Sequence, residues 1–234
     1  MKSKIAKIAV VLLSGGLDSA TALYFAKAKG YQCRCLIFDY GQLHKKEITS
    51  AVNIAKASRC LYEILKIGFP WRGSALLDKK VKISQKIKPG IPSTYVPARN
   101  IIFLSFALSF AETIKAKAIF IGAHEQDYSG YPDCRPEFFQ VFAEMAKVGT
   151  YGGGRIKILV PLLNKKKAQI ISLGQRLGVP FNLSWSCYRG AKLPCGICDS
   201  CHYRAKGFKE AGLADPLTQP FLRRAGANRK GRAG

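Results

Sequence analysis

The sequence predicts an α/β fold: a parallel sheet with helices on both faces, extended by a small C-terminal cysteine-bearing segment. Two observations carry that expectation. Short apolar runs alternate with stretches of helical period along most of the chain, and parallel strands need helical crossovers of this kind. Polar and glycine-containing loops also fall at the ends of several runs, where a parallel sheet presents its ligands. At 234 residues the chain is long enough to bury a sizeable core and reads most simply as one domain with an appendage.

The elements follow in order. Ile5 to Leu13 is an apolar run suited to a central strand, and the helix after it extends to Lys29 with Gly30 as its C-cap. Cys33 to Phe38 gives a second strand, His44 to Ser58 a second helix and Leu61 to Ile67 a third strand. A Pro-, Gly- and Lys-containing loop runs through Pro92, ahead of a long apolar helix from about Ala98 to Lys115. Ala118 to Ile121 is a buried strand ending in Gly122-Ala123-His124. Pro136 takes the first position of a helix through Lys147, Arg155 to Val160 forms another strand, and Asn164 caps a helix ending before Gly178. There is no internal repeat. The expected division is a nucleotide-binding α/β domain over residues 1–183, the cysteine-bearing segment over 184–212, and a basic tail over 213–234 that is a candidate for disorder.

Composition bounds the function classes. No apolar run approaches the ~20 residues needed to span a bilayer, and the lysine-rich start runs into a core strand without a cleavable signal, so a soluble cytoplasmic protein is expected. Lys plus Arg at 38 against Asp plus Glu at 14 leaves a net charge of +24, a broad positive field that suits an anionic partner, nucleotide or RNA. The patches Lys79-Lys80-Val81-Lys82 and Lys165-Lys166-Lys167, and the tail's Arg223, Arg224, Arg229, Lys230 and Arg232, read first as solvated surface. Eight cysteines in an unsecreted chain point to metal binding or reactive thiols rather than disulfides. Cys33, Cys35 and Cys60 lie in or beside predicted elements and read as small buried hydrophobes.

Ser14-Gly15-Gly16-Leu17-Asp18-Ser19, between the first strand and the first helix, reads as a cradle for a nucleotide pyrophosphate. Paired glycines let bare backbone N–H groups approach an anion, the two serines add hydroxyl donors, and the helix start adds its positive dipole end. The Walker lysine is absent, which excludes a P-loop ATPase that transfers the γ-phosphate. A carboxylate at Asp18 tolerates phosphates when Mg²⁺ lies between them.

Three further segments carry chemistry. Cys187, Cys195, Cys198 and Cys201 have the spacing of a four-thiolate metal site, with a structural Zn²⁺ as first choice and an iron–sulfur cluster as its rival. Arg99 and Asn100 open the long apolar helix, where a cation makes sense if it faces an anion. Asp127 to Pro136 is rich in aromatic and charged groups: Tyr128 and Tyr131 could stack on a flat heterocycle, Asp133 could accept the paired N–H donors of a guanine-like edge or cap the helix at Pro136, and Arg135 could pair with an acid. Cys134 has no basic partner identifiable from sequence, and His44 and His124 flank the expected cleft as structural or proton-moving groups.

The SGGLDS segment resembles the PP-loop of the ATP pyrophosphatase superfamily, whose fold is Rossmann-like and whose members cut ATP between its α- and β-phosphates. Together with DYGQLHKKE (Asp39 to Glu47), VPARN (Val96 to Asn100), GAHEQDYSGYPDCRPEF (Gly122 to Phe138) and SCY followed by CGICDSC, it resembles the 7-cyano-7-deazaguanine synthase family of the queuosine pathway, from Lys7 to Arg204. Leu17 stands where methionine is common and Leu43 where arginine is frequent. The resemblance implies ATP-dependent conversion of 7-carboxy-7-deazaguanine and ammonia to the nitrile through adenylated intermediates. It implies that Ser14, Gly15, Gly16, Leu17, Asp18 and Ser19 hold the nucleotide with Mg²⁺, that Arg99 neutralises the transferring phosphate, and that Tyr128, Tyr131, Asp133 and Arg135 take the deazaguanine. One structural Zn²⁺ per chain would sit on Cys187, Cys195, Cys198 and Cys201. Neither nucleic acid nor membrane is required, and a homodimer is allowed. The alternatives are a PP-loop tRNA-modifying enzyme, a thiolase or lysidine-type synthetase, for which +24 would be a phosphate footprint, and a non-enzymatic zinc-stabilised nucleotide- or nucleic-acid-binding module.

Overall fold

A computed structural model describes residues 7–83, 90–127, 130–152 and 154–217. The basic tail beyond Leu217 and the residue Tyr128 lie outside the described residues. Among those described, strands and helices alternate as β1 (Lys7–Leu12), α1 (Leu17–Ala28), β2 (Tyr31–Asp39), α2 (Lys46–Ala57), β3 (Leu61–Lys66), α3 (Arg99–Thr113), β4 (Ala118–Phe120), α4 (Pro136–Gly149), β5 (Lys157–Leu159), α5 (Lys167–Arg176) and α6 (Asp199–Glu210). The sheet is parallel throughout, in the order β3-β2-β1-β4-β5, with Val10 of β1 opposite both Arg34 of β2 and Ile119 of β4. Strand order reverses between β1 and β4, the point at which doubly wound sheets open a crevice at their carboxyl ends.

Alternation along the central strands divides the core in two, since successive side chains point to opposite faces. Ala9, Val11 and Phe120 join Leu17 and Leu23 of α1, Ile54 of α2, and Ile170 and Ile171 of α5 on one face. Val10, Leu12 and Ile119 join Leu104 and Leu108 of α3 and Phe139 and Phe142 of α4 on the other. Burial on both sides explains why β1 reads as an unbroken apolar run. Among the described residues no helix is long and apolar enough to cross a membrane.

Element boundaries moved to where the cap partners stand, one local and one distant in sequence. α5 starts at Lys167 rather than after Asn164, because the Gln169 Oε1 accepts the Lys166 backbone N–H at 2.9 Å and closes the first turn there. α3 starts at Arg99 from an Ala98 in the left-handed region (φ 57°), with no cap from its own side chain; the Asn100 N–H finds its acceptor in Asp133 at 2.8 Å. Pro136 is the first residue of α4, as its fixed φ predicts.

Candidate active site and metal centre

The cradle forms because two chains approach it closer than any side chain would allow. Gly15 has φ +86°, and a Cβ there would lie 2.1 Å from the Glu47 carbonyl oxygen at the start of α2. From the other side Gly122, just after β4, brings backbone against α1; its Cβ would fall 2.9 Å from both the Asp18 carbonyl carbon and the Ser19 nitrogen. Within the loop, the Ser14 N–H and hydroxyl donate to the Ser19 hydroxyl at 3.2 and 3.1 Å, and Ser19 donates onward to the Gly16 carbonyl at 3.1 Å. Leu17 is turned into the core, so it serves the loop through its backbone.

Asp18 lies in the first turn of α1 and carries the largest departure from the sequence reading. Lys167, expected on a solvated patch, is only 8% exposed; its Nζ lies 2.8 and 2.9 Å from the two Asp18 carboxylate oxygens and 2.8 Å from His124 Nε2. An ammonium only donates, so Nε2 is the bare ring nitrogen in this arrangement. Burial raises the Asp18 carboxyl, but the Lys167 ammonium, by its charge and its hydrogen bonds, holds the group below the usual carboxylate range. Lys167 is the first residue of α5, where a cation meets the positive end of the helix dipole and needs an anion beside it. The lysine stem is seated by α6, since a Cβ on Gly207 would lie 2.4 Å from Lys167 Cγ.

Three strand-end loops converge around a cavity of about 260 Å³ at the carboxyl ends of β1, β2 and β4, walled by Ser14 and Ser19, by Tyr40, and by Gly122 and Asp127, with Glu47 of α2 beside them. A second cavity of about 170 Å³ adjoins it across Asp18, Tyr131 and Tyr188 and reaches Lys167 and His124. Arg99 reaches the larger cavity, donating from Nη1 to the Tyr40 hydroxyl at 3.3 Å; burial works against its charge, but Tyr40, Tyr131 and Glu47 hold the guanidinium protonated.

Tyr131 borders both cavities, with its hydroxyl 2.9 Å from that of Thr94. Asp133 is buried behind it: besides Oδ2 on the Asn100 N–H, its carbonyl accepts the Asn100 amide at 3.2 Å. The carboxylate thus caps the start of α3, not the helix at Pro136. Arg135 is exposed at the N-cap of α4. The Cys134 thiol is buried, accepts from Asn100 Nδ2 at 3.1 Å, and is raised by burial, which leaves it an unreactive thiol.

The Sγ atoms of Cys187, Cys195, Cys198 and Cys201 all lie within 4.8 Å of one another, with Cys195 and Cys201 at 4.0 Å. A tetrahedron of thiolates about 2.3 Å from one ion has edges of about 3.8 Å, so the donor set fits a single thiophilic cation. Cys187 Sγ also accepts the Cys195 and Arg189 N–H groups at 3.3 and 3.4 Å.

This segment is a wall of the same cleft, with Trp185, Ser186, Tyr188 and Ser200 lining the larger cavity, which sequence reasoning missed. The Trp185 N–H donates to the Gly15 carbonyl at 2.8 Å, its indole N–H donates to the Cys187 carbonyl at 2.9 Å, and Lys46 Nζ sits 3.7 Å above the Trp185 ring. From α6, Arg204 pairs with both Asp215 oxygens at 2.8 and 2.9 Å and reaches the Ser184 hydroxyl at 2.8 Å. Neither residue has a local signal, since each matters only through contacts across the fold.

Comparison with known proteins places this geometry. Residues 8–212 match the family described as Queuosine biosynthesis protein QueC. A 7-cyano-7-deazaguanine synthase from Nostoc punctiforme is 49% identical over 219 residues, covering 89% of this chain and 98% of the relative. One from Acetivibrio thermocellus is 51% identical over 214 residues, covering 89% and 96%. Among solved structures, the NMN synthetase from Francisella tularensis is similar at a TM-score of 0.48 and 18% identity, covering 89% of this chain and 78% of that one, too distant to bear on function. With half its residues shared along nearly the whole length of such relatives, and its cradle, cleft and cysteines inside the matched span, the chain belongs to the QueC family of queuosine biosynthesis proteins.

Proposed function

We propose that the chain converts 7-carboxy-7-deazaguanine, ammonia and ATP into 7-cyano-7-deazaguanine through adenylated intermediates, in queuosine-type 7-deazapurine biosynthesis in the cytoplasm. The observation that carries this reading is the lysine-free cradle at the switch point of the sheet, opening on a cleft with the buried Lys167 on one side and Arg99 on the other. Ammonia cannot displace oxide from a carboxylate at a useful rate. Transfer of AMP from ATP to that oxygen turns it into a leaving group and delivers pyrophosphate to the main-chain donors of Ser14 to Ser19. Ammonia then gives the amide; a second adenylation of the amide oxygen, followed by loss of AMP and a proton, gives the nitrile. Asp18 would hold Mg²⁺ when present. Lys167 supplies the charge that a Walker lysine supplies elsewhere, and Arg99 faces the transferring phosphoryl group.

Tyr128, Tyr131, Asp133 and Arg135 are our candidates for the deazaguanine, with Tyr131 against the ring and Asp133 acting through the start of α3. The cysteines suit Zn²⁺ better than a four-iron cluster, which puts a separate iron behind each thiolate and spreads the sulfurs wider than they stand here. Purified protein given ATP, ammonium and the free deazapurine acid, without RNA, should release AMP and pyrophosphate and form the nitrile. ADP and orthophosphate as products, or an absolute demand for tRNA, would overturn this reading; the second result is what a PP-loop tRNA-modifying enzyme requires.

A further inference from the structure

We propose that the Glu47 carboxylate is the base that takes the proton from ammonium at the reacting carbonyl, an inference that rests on the ligase reading above. Glu47 stands in the first turn of α2, and its carbonyl oxygen packs so closely on Gly15 that a side chain there would collide with it. Its side chain forms part of the wall of the larger cavity, on the side of Ser14 and Arg99. The carboxylate is oriented by Gln42, whose Nε2 donates to Oε1 at 3.2 Å. Gln42 is itself fixed at both ends of its amide, accepting from the Tyr40 N–H at 2.8 Å and donating to the Phe38 carbonyl at 3.2 Å. This is a carboxylate aimed and braced, yet among the described residues it makes no ion pair.

The groups facing it are the Arg99 guanidinium from α3, the Tyr40 phenol at the end of β2 and, across the cradle, Asp18 of α1. Burial pushes the Glu47 carboxyl up to about 7, while Arg99 and the Gln42 hydrogen bond pull the other way. That is the range in which a general base is both ionised and strong enough at neutral pH. Of the other carboxylates near the cavity, Asp18 is taken by Lys167, Asp127 accepts the His124 backbone N–H at 3.1 Å, and Asp133 is taken by Asn100, which leaves Glu47 to do this work.

The step balances as follows. Ammonium hands one proton to Glu47, and the freed lone pair attacks the adenylate carbonyl carbon. The C–N bond forms, and the C–O bond to AMP breaks with AMP taking the electron pair. The surplus proton on nitrogen leaves to the same carboxylate once the first has passed to water.

Hydroxylamine separates this role from a structural one, because it is largely uncharged at neutral pH and needs no base before attack. With Glu47→Gln, ammonium-dependent amide and nitrile formation should fall by about 100-fold or more, through kcat with little change in KM for ATP. Hydroxamate formation with hydroxylamine should stay within about threefold of the wild type, since the adenylate still forms. Glu47→Asp should recover part of the ammonium rate and move its pH midpoint, which in the wild type lies near 7 with activity rising above it. Wild-type ammonium turnover in Glu47→Gln, or equal loss of ammonium and hydroxylamine reactions in both variants, would overturn the proposal. A wild type that makes neither AMP nor hydroxamate would instead sink the ligase reading on which it rests.

Discussion

At the scale of single residues, the site turns on which charges are already committed. Asp18 holds Lys167 in a half-buried contact, and because Lys167 also holds His124 Nε2, removing the carboxylate leaves two polar groups to find new partners. Asp18→Asn should therefore lower AMP release by at least about 100-fold, with stability falling by ~1–3 kcal/mol; AMP assay and denaturant unfolding measure the two. Retained turnover would remove Asp18 from the mechanism. The pair also sets an acid limit. The Asp18 carboxyl titrates lower in the folded chain than in the unfolded one, so its contribution is complete above the unfolded value of about 4 and is lost as pH falls through the folded value. Loss of this contribution by unfolding measured between neutral pH and pH 3 should be absent from Asp18→Asn. Asp133→Asn should raise KM for the deazapurine acid by about tenfold and KM for ATP much less, because Asn still accepts the Asn100 N–H but changes the charge at the start of α3. An equal rise in both would make Asp133 a structural cap and nothing more.

At the scale of elements, the packing that seats these charges depends on glycines in the middle of contacts. Strand and helix order was legible because periodicity and capping are local properties: Gly15, Gly16 and Ser19 sit within one turn of each other, and Pro136 announces α4. Lys167 was not legible as a site residue, because its partner Asp18 lies 149 positions away and nothing near it distinguishes it from Lys165 or Lys166. Nor was the cap of α3, which comes from Asp133 across 33 positions. Gly207 is the clearest such case: α6 lays bare backbone on the Lys167 stem there, and a methyl group would have to occupy the space of Cγ. In Gly207→Ala the lysine must move or the helices must part. AMP formation should drop by about tenfold or more while metal content stays that of the wild type, since Cys198 and Cys201 lie at the other end of α6 and Cys187 and Cys195 lie before it. Metal analysis beside the AMP assay checks this; normal activity would show that α6 does not set the lysine's position.

At the scale of the whole molecule, the cysteine-bearing segment and the α/β sheet domain hold one cleft between them. Trp185 ties its strap to Gly15, Arg204 ties α6 to that strap, and Gly207 ties α6 to Lys167, so both sides of the cradle lean on a segment whose own buried cluster is Trp185 and the cysteines. Short irregular segments of this kind draw their folding energy from the metal. Removing it should therefore do more than lower the melting temperature: it should release the cradle. The chain carries its own reporter, because Trp185 is 7% exposed beside Cys187 and the other tryptophan, Trp71, is 51% exposed and replaceable. In Trp71→Phe, chelation should shift Trp185 emission to longer wavelength as water reaches the ring, and AMP formation should decline in step with that shift. Zn²⁺ added back should restore both. If the stripped protein keeps its Trp185 emission and still forms AMP, the segment is a passive appendage and the cradle stands without it.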